Sequence, residues 1–162
     1  MNAKILVCCE SYCNNDVEIV LDAYSRKFCA DIEKCEVTFN KINTTVNDIF
    51  TVKNKIDFAD CNISSVIDMW CDVTSANASV NAENMIISGT VNCYVLAYDE
   101  EKKAVFCEKQ CDFERIYSCE KAADNTYCEP NISVNGCNYT ITSSNTLELQ
   151  TELCLNAPIC EK

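Results

Sequence analysis

Histidine is absent from this 162-residue chain, and glycine and proline occur only twice each. Without histidine there is no Ser-His-Asp triad, no Cys-His pair and no imidazole metal ligand, so nucleophilic catalysis needs a lysine or a carboxylate as its base. The two glycines, Gly89 and Gly136, lie too far apart to form a phosphate-binding loop or a dinucleotide fingerprint. Basic residues are scarce as well: 13 against 25 acidic ones, a net charge of −12. So acidic a chain repels phosphate backbones and anionic lipid surfaces, which argues against nucleic acid or a membrane as partner. No apolar run approaches the roughly 18 residues that span a bilayer. The opening "MNAKILVCCESYC" is too short in its apolar stretch, and too polar afterwards, to read as a signal peptide.

Fifteen cysteines are present, a density typical of disulfide scaffolds. The number is odd, so complete intramolecular pairing is impossible. No Cys-x-x-Cys occurs; Cys8-Cys9 and Cys107-x3-Cys111 are the nearest to ligand spacing. Position says more. Cys71 shares a phase with Ile67, Met69 and Val73; Cys93 lies among Val91, Val95 and Ala97; Cys107 and Cys111 fall in step with Val105 and Phe113. Cys9, Cys35 and Cys137 also take slots in apolar alternations. These seven are expected to pack as small hydrophobes, with cross-strand pairing still open. Cys154 follows Glu148, Gln150 and Glu152 on a polar phase, and Cys13, Cys119, Cys128 and Cys160 sit near turns or the end. These five are the expected exposed, oxidisable thiols.

Period two dominates. The pattern predicts strands near 3–9, 16–24, 27–40, 64–74, 84–98, 103–117, 130–142 and 145–155. A change of phase predicts a bulge or break near Glu33 and Lys34. "YDEEKK" (98–103) and "TSSN" (142–145) read as hairpin turns. "TTVNDIFTVKNK" (44–55) suits a short helix as well as a strand, and residues 73–80 read as an uncharged connection. The expected fold is all-β: an antiparallel β-sandwich or open barrel of about eight strands. Carboxylates such as Asp99, Glu100 and Glu101 read as solvated turn residues, so the chain is expected not to be an enzyme. No catalytic, cofactor-binding or metal-ligating residue is assigned.

Several blocks carry a resemblance. "VEIVLDAYSRKF" (17–28), the hairpin block "ISSVIDMWCDVTSANASVNAENMIISGTVNCYVLAYDEE" (63–101), "CDFERIYSCEKA" (111–122) and "NTLELQTELCLNAPI" (145–159) resemble successive segments of SPOCS domains. Those domains occur in SipL-type proteins of anaerobic, spore-forming Firmicutes. The resemblance covers nearly the whole chain as one SPOCS-like domain over 1–162. "NAKILVCCESY" (2–12) itself looks like the closing strand of a preceding repeat. The cysteine density departs from the family pattern. The resemblance implies a non-catalytic structural, protein-interaction module in spore coat assembly. It would sit on the spore envelope surface in the mother-cell cytoplasm, with envelope proteins, tandem repeats or copies of itself as partners. The family's contact with the morphogenetic ATPase is associated with a LysM region, which nothing here resembles, so it transfers to no residue.

Two other readings remain open. Asn-X-Ser/Thr sequons at Asn43, Asn62, Asn77, Asn131 and Asn138, together with the cysteines, suit a secreted cysteine-rich recognition or adhesion domain. The thiols also suit a Cys-thiolate metal or redox protein.

Overall fold

The computed structural model describes residues 7, 9, 18–29, 31, 33–36, 40–58, 61–81, 83–119 and 125–161. The chain divides into two compact units, Met1–Val37 and Thr38–Lys162. In the first, the described residues are exposed and form no strand. The strands expected at 16–24 and 27–40 are therefore not found at their described positions, nor is a strand in which a bulge at Glu33-Lys34 would sit. The expected strand at 3–9 lies outside the described residues except at Val7 and Cys9, which are not in a strand. Ile19, Val20 and Leu21 are consecutive, and all three are exposed, so this stretch has no single face to bury.

The second unit is all-β, with seven strands where about eight were expected and no helix among the described residues. They are β1 (Lys41–Asp57), β2 (Ile63–Val80), β3 (Asn84–Asp99), β4 (Ala104–Ser118), β5 (Thr126–Cys128), β6 (Asn131–Ser143) and β7 (Thr146–Glu161). One sheet is the meander β2-β3-β4. In the other, β7 is central: β1 pairs with one edge along its whole length, and β6 and β5 share the other edge, all antiparallel. Pro130 lies in the short break between β5 and β6, where its missing N–H disturbs no ladder. The segment 44–55 is a strand within β1, not a helix, and 73–80 completes β2 instead of forming a connection.

Alternation sets the core. Leu147, Leu149, Thr151, Leu153, Leu155, Ala157 and Ile159 form the inner row of β7. Met85, Ile87, Gly89, Val91, Cys93, Val95 and Ala97 share the inner phase of β3. Gly89 is required by close approach. A Cβ there would meet the Ser75 carbonyl oxygen and the Phe113 ring inside normal contact distance. Phe113, the direct partner of Gly89 in β4, covers it and packs on Phe50 of β1 with ring centroids 5.7 Å apart.

The two sheets form a sandwich whose edges approach each other, β4 beside β1 and β2 beside β6 and β5. Side chains cross the first seam. The Tyr117 hydroxyl donates to Asp48 at 2.8 Å, Arg115 donates to the Thr51 carbonyl and lies over the Phe50 ring, and Lys109 donates to the Lys55 carbonyl. Burial, and then the Asp48 carboxylate, push the Tyr117 phenol up to about 12. The expected turn at 98–103 is present. Asp99 N–H donates to the Lys103 carbonyl, Lys102 N–H to the Asp99 carbonyl, and Lys102 takes a φ of 61°. Glu100 and Glu101 are exposed there, as turn carboxylates. Ser144 and Asn145 make the turn expected at 142–145.

Candidate functional site

Two features stand out from the fold. The first is a group of thiols inside the sandwich. Cys71 of β2 and Cys93 of β3 are directly opposed in register. Thr151, the one polar residue in the inner row of β7, faces them. Its hydroxyl oxygen lies 3.3 Å from the Cys71 sulfur and 4.0 Å from that of Cys93. A buried hydroxyl costs stability unless it finds a partner, and Cys71 supplies one. Cys137 of β6 lies near the same sulfur from across the second seam. The Cys93 thiol, the Thr151 hydroxyl and the Cys137 thiol thus all lie close enough to Cys71 to favour its ionised form. The Cys93 bond holds the Cys71 thiol below its ordinary range, at about 6, against the burial that opposes ionisation. Cys93 moves the other way, first because it donates to Cys71 and then because it is buried. Burial, then donation to Cys71, push Cys137 up to about 12. Burial raises Cys111 as well.

All described cysteines are free thiols. Cys71, Cys93 and Cys111 are buried as expected, and Cys107 and Cys137 are half-buried. Cys9 and Cys35 are exposed, so the core assignment fails for them. The opposite error occurs at Cys119 and Cys128, which are buried although they sit beside turns. Cys119 is drawn in by its N–H bond to the Glu83 carbonyl, and Cys128 by pairing of β5 with Ile159. Burial pushes Cys128 up to about 11. Cys154 and Cys160 are half-buried, and Cys13 lies outside the described residues. Among the described residues, no three Cys, Asp or Glu side chains are arranged to hold a metal ion.

The second feature lies on the solvent side of the β2-β3-β4 sheet. Trp70 stands opposite Tyr94, and Phe106 opposite Leu96. Trp70 and Tyr94 stack with centroids 5.3 Å apart, and Phe106 lies 6.1 Å from Trp70 and 6.3 Å from Tyr94. Trp70 is 40% exposed and Phe106 56%. Ile67, carried by a bulge in β2, and Tyr98 extend the patch. Register places Asp68, Asp72, Glu108, Asp112 and Glu114 on this same face. The two basic residues of β4 outside the hairpin, Lys109 and Arg115, belong to the inner phase and are drawn across the seam to β1. Among the described residues, the face therefore shows five carboxylates and no cation. Beside it an open depression of about 410 Å³ is lined by Ser75, Asn77, Ser88, Thr90, Asp112 and Glu114, among others.

Sequence reasoning assigned no site and missed both features. Thr151, a lone polar residue in the row Leu147, Leu149, Leu153, Leu155, was the available signal for the first. For the second it was the aromatics on the polar phase of three successive strands. The asparagines of all five sequons are exposed. No helix among the described residues is long and apolar enough to cross a membrane. Comparison with family models, with curated proteins and with solved structures gives no match.

Proposed function

We propose that this chain is a non-catalytic structural module that binds other proteins, and that it works in assembly of the spore envelope, at the spore surface in the mother cell, as its SPOCS resemblance implies. The observation that supports the interaction role is the aromatic and acidic outer face of the β2-β3-β4 sheet. Trp, Tyr and Phe grouped on a surface are the residues that interfaces concentrate, because each removes much apolar area from water at small conformational cost. The unopposed carboxylates select the occupant: a lysine- or arginine-bearing segment of a partner protein, its cations set over the rings and against Asp68, Asp72 and Glu108.

Trp70 is the sole tryptophan, so its fluorescence reports on this face alone. Titration with a peptide alternating Lys or Arg with Leu should change Trp70 emission saturably, and added salt should weaken the effect. The same peptide with Glu in place of the cations should have none. Asp68→Asn with Asp72→Asn should weaken binding, and Phe106→Ala should abolish it. An unchanged emission, or an equal response to the acidic peptide, overturns the reading. A response that depends on protein concentration without peptide assigns the face to a second copy of the chain instead.

The runner-up is a secreted cysteine-rich recognition domain, favoured by the exposure of all five sequon asparagines. Expression through a eukaryotic secretory route, followed by a glycosidase mass shift, tests it.

A further inference from the structure

We infer that Cys71 and Cys93 are a modification site: a buried dithiol that a low-molecular-weight disulfide converts to a cross-strand disulfide, with Cys71 as the attacking sulfur and Cys93 as the resolving one. Three observations carry this. The two residues are directly opposed in register, and in an antiparallel pair opposed Cα atoms are about 4.5–5.5 Å apart, within the range that a disulfide spans. Their sulfurs converge on one point, since the Thr151 hydroxyl oxygen lies 3.3 Å from that of Cys71 and 4.0 Å from that of Cys93. Their access differs: Cys71 is 7% exposed on an edge strand of its sheet, whereas Cys93, on the central strand, is fully buried. A reagent that enters through the β2 edge meets Cys71 first.

The surroundings of Cys71 fit the attacking role. A thiolate is the nucleophile, and the Thr151 hydroxyl 3.3 Å from the Cys71 sulfur can stabilise the charge there. The chemistry balances as thiol–disulfide exchange. Cys71 thiolate attacks one sulfur of the oxidant, the oxidant's S–S bond breaks, and one thiol leaves with the Cys71 proton. Cys93 then gives up its proton and attacks the Cys71 sulfur. The mixed disulfide breaks, and the second thiol leaves with the Cys93 proton. Two protein thiols are oxidised and one small disulfide is reduced to two thiols. Cys137 also lies near Cys71, so it is the competing partner, and a disulfide to it would tie the two sheets together instead of two strands of one sheet.

The test treats the full chain with oxidised glutathione, blocks the remaining thiols with iodoacetamide, and maps linked peptides by mass spectrometry. The expected product joins the peptides of Cys71 and Cys93 and lacks the mass of two hydrogen atoms. In Cys93→Val, which keeps the volume of the side chain, Cys71 should accumulate as the stable mixed disulfide with glutathione. In Cys71→Val, Cys93 should remain unmodified. A Cys71–Cys137 or Cys93–Cys111 link in the parent overturns the pairing. Oxidation confined to other cysteines while Cys71 and Cys93 stay reduced overturns the site. Should Cys71→Val not fold, the parent map and the trapping in Cys93→Val decide the matter on their own.

Discussion

The two sheets of the sandwich obey the same inside–outside alternation and fill it with different residues. The β1-β7-β6 sheet lines its interior with the leucines of β7, while the β2-β3-β4 sheet contributes Val91, Val95 and three cysteines. Outside, the contrast reverses in kind. The first sheet ties its polar groups to one another: Lys53 with Glu148 at 3.8 Å, Asn156 to Asn47 at 2.7 Å, Thr146 to Asp57 at 2.9 Å, and Asn135 to Glu152. The second leaves five carboxylates without a cation and three aromatic rings in water. The second sheet has hydrogen bonds of its own, Thr90 to Asp112 at 2.9 Å and Asn92 to Glu108, but no cation among the described residues of its outer face. Burial alone does not separate them, because both sheets bury their inner rows. The distinction lies in the cations: Lys53 pairs with Glu148 on the first sheet, and among the described residues no lysine or arginine stands on the outer face of the second.

Substitutions can break or sharpen this comparison. The leucine row should be the most costly to damage. Leu149 is fully buried at the centre of β7, and Leu149→Ala should cost about 2–5 kcal/mol in urea unfolding. A loss below about 1 kcal/mol would mean that the β7 row is not the core. Next comes Gly89→Ala. Its methyl group would run into Ser75 backbone and Phe113, so overpacking should cost about 1–3 kcal/mol, with the loss recovered in part by Phe113→Leu. Cys93 separates hydrophobic packing from polarity. Under reducing conditions Cys93→Val should cost less than about 1.5 kcal/mol. Cys93→Ser, which places a second hydroxyl beside Thr151, should cost about 1–3 kcal/mol. Equal losses would show that the sulfur is more than a small hydrophobe even when reduced. The smallest effect belongs to the outer face of the first sheet. Lys53→Met removes a long, largely exposed ion pair and should change stability by no more than about 0.5 kcal/mol.

How far the sequence discloses this arrangement varies along the chain. β3, β4, β6 and β7 are legible because each alternates cleanly, and the structure places them within a few residues of the expected bounds at most ends. β1 is not, and the reason is specific. Asp48 and Asn54 occupy its inner phase among Val46, Phe50, Val52 and Ile56, while Ile49 points outward, so no single face reads as apolar. Asp48 makes sense only once Tyr117, far along the chain, supplies its donor. Cys119 and Cys128 were misread for a related cause: nearness to a turn says nothing of what lies above it. The thiol group around Cys71 was half legible. Cys71 and Cys93 could be assigned to the core from phase alone, but their opposition depends on register, which two bulges in β2 shift before Cys71 and another shifts just beyond it. The stretch 18–29 shows the converse failure, an apolar composition without a strand at any described position.

The place of β7 has a consequence for how the chain leaves the ribosome. The meander β2-β3-β4 joins neighbours in sequence and can pair while synthesis continues. β1 cannot: among the described residues its strand partner is β7, made roughly 100 residues later, a delay of about 5–20 s at ordinary elongation rates. For that interval a 17-residue strand waits with its ladder groups open. Asp48, Asp57, Lys53 and Lys55, spaced along it, would oppose nascent chains pairing with one another. Emergence of β7, not of β1, is thus the moment at which this sandwich closes.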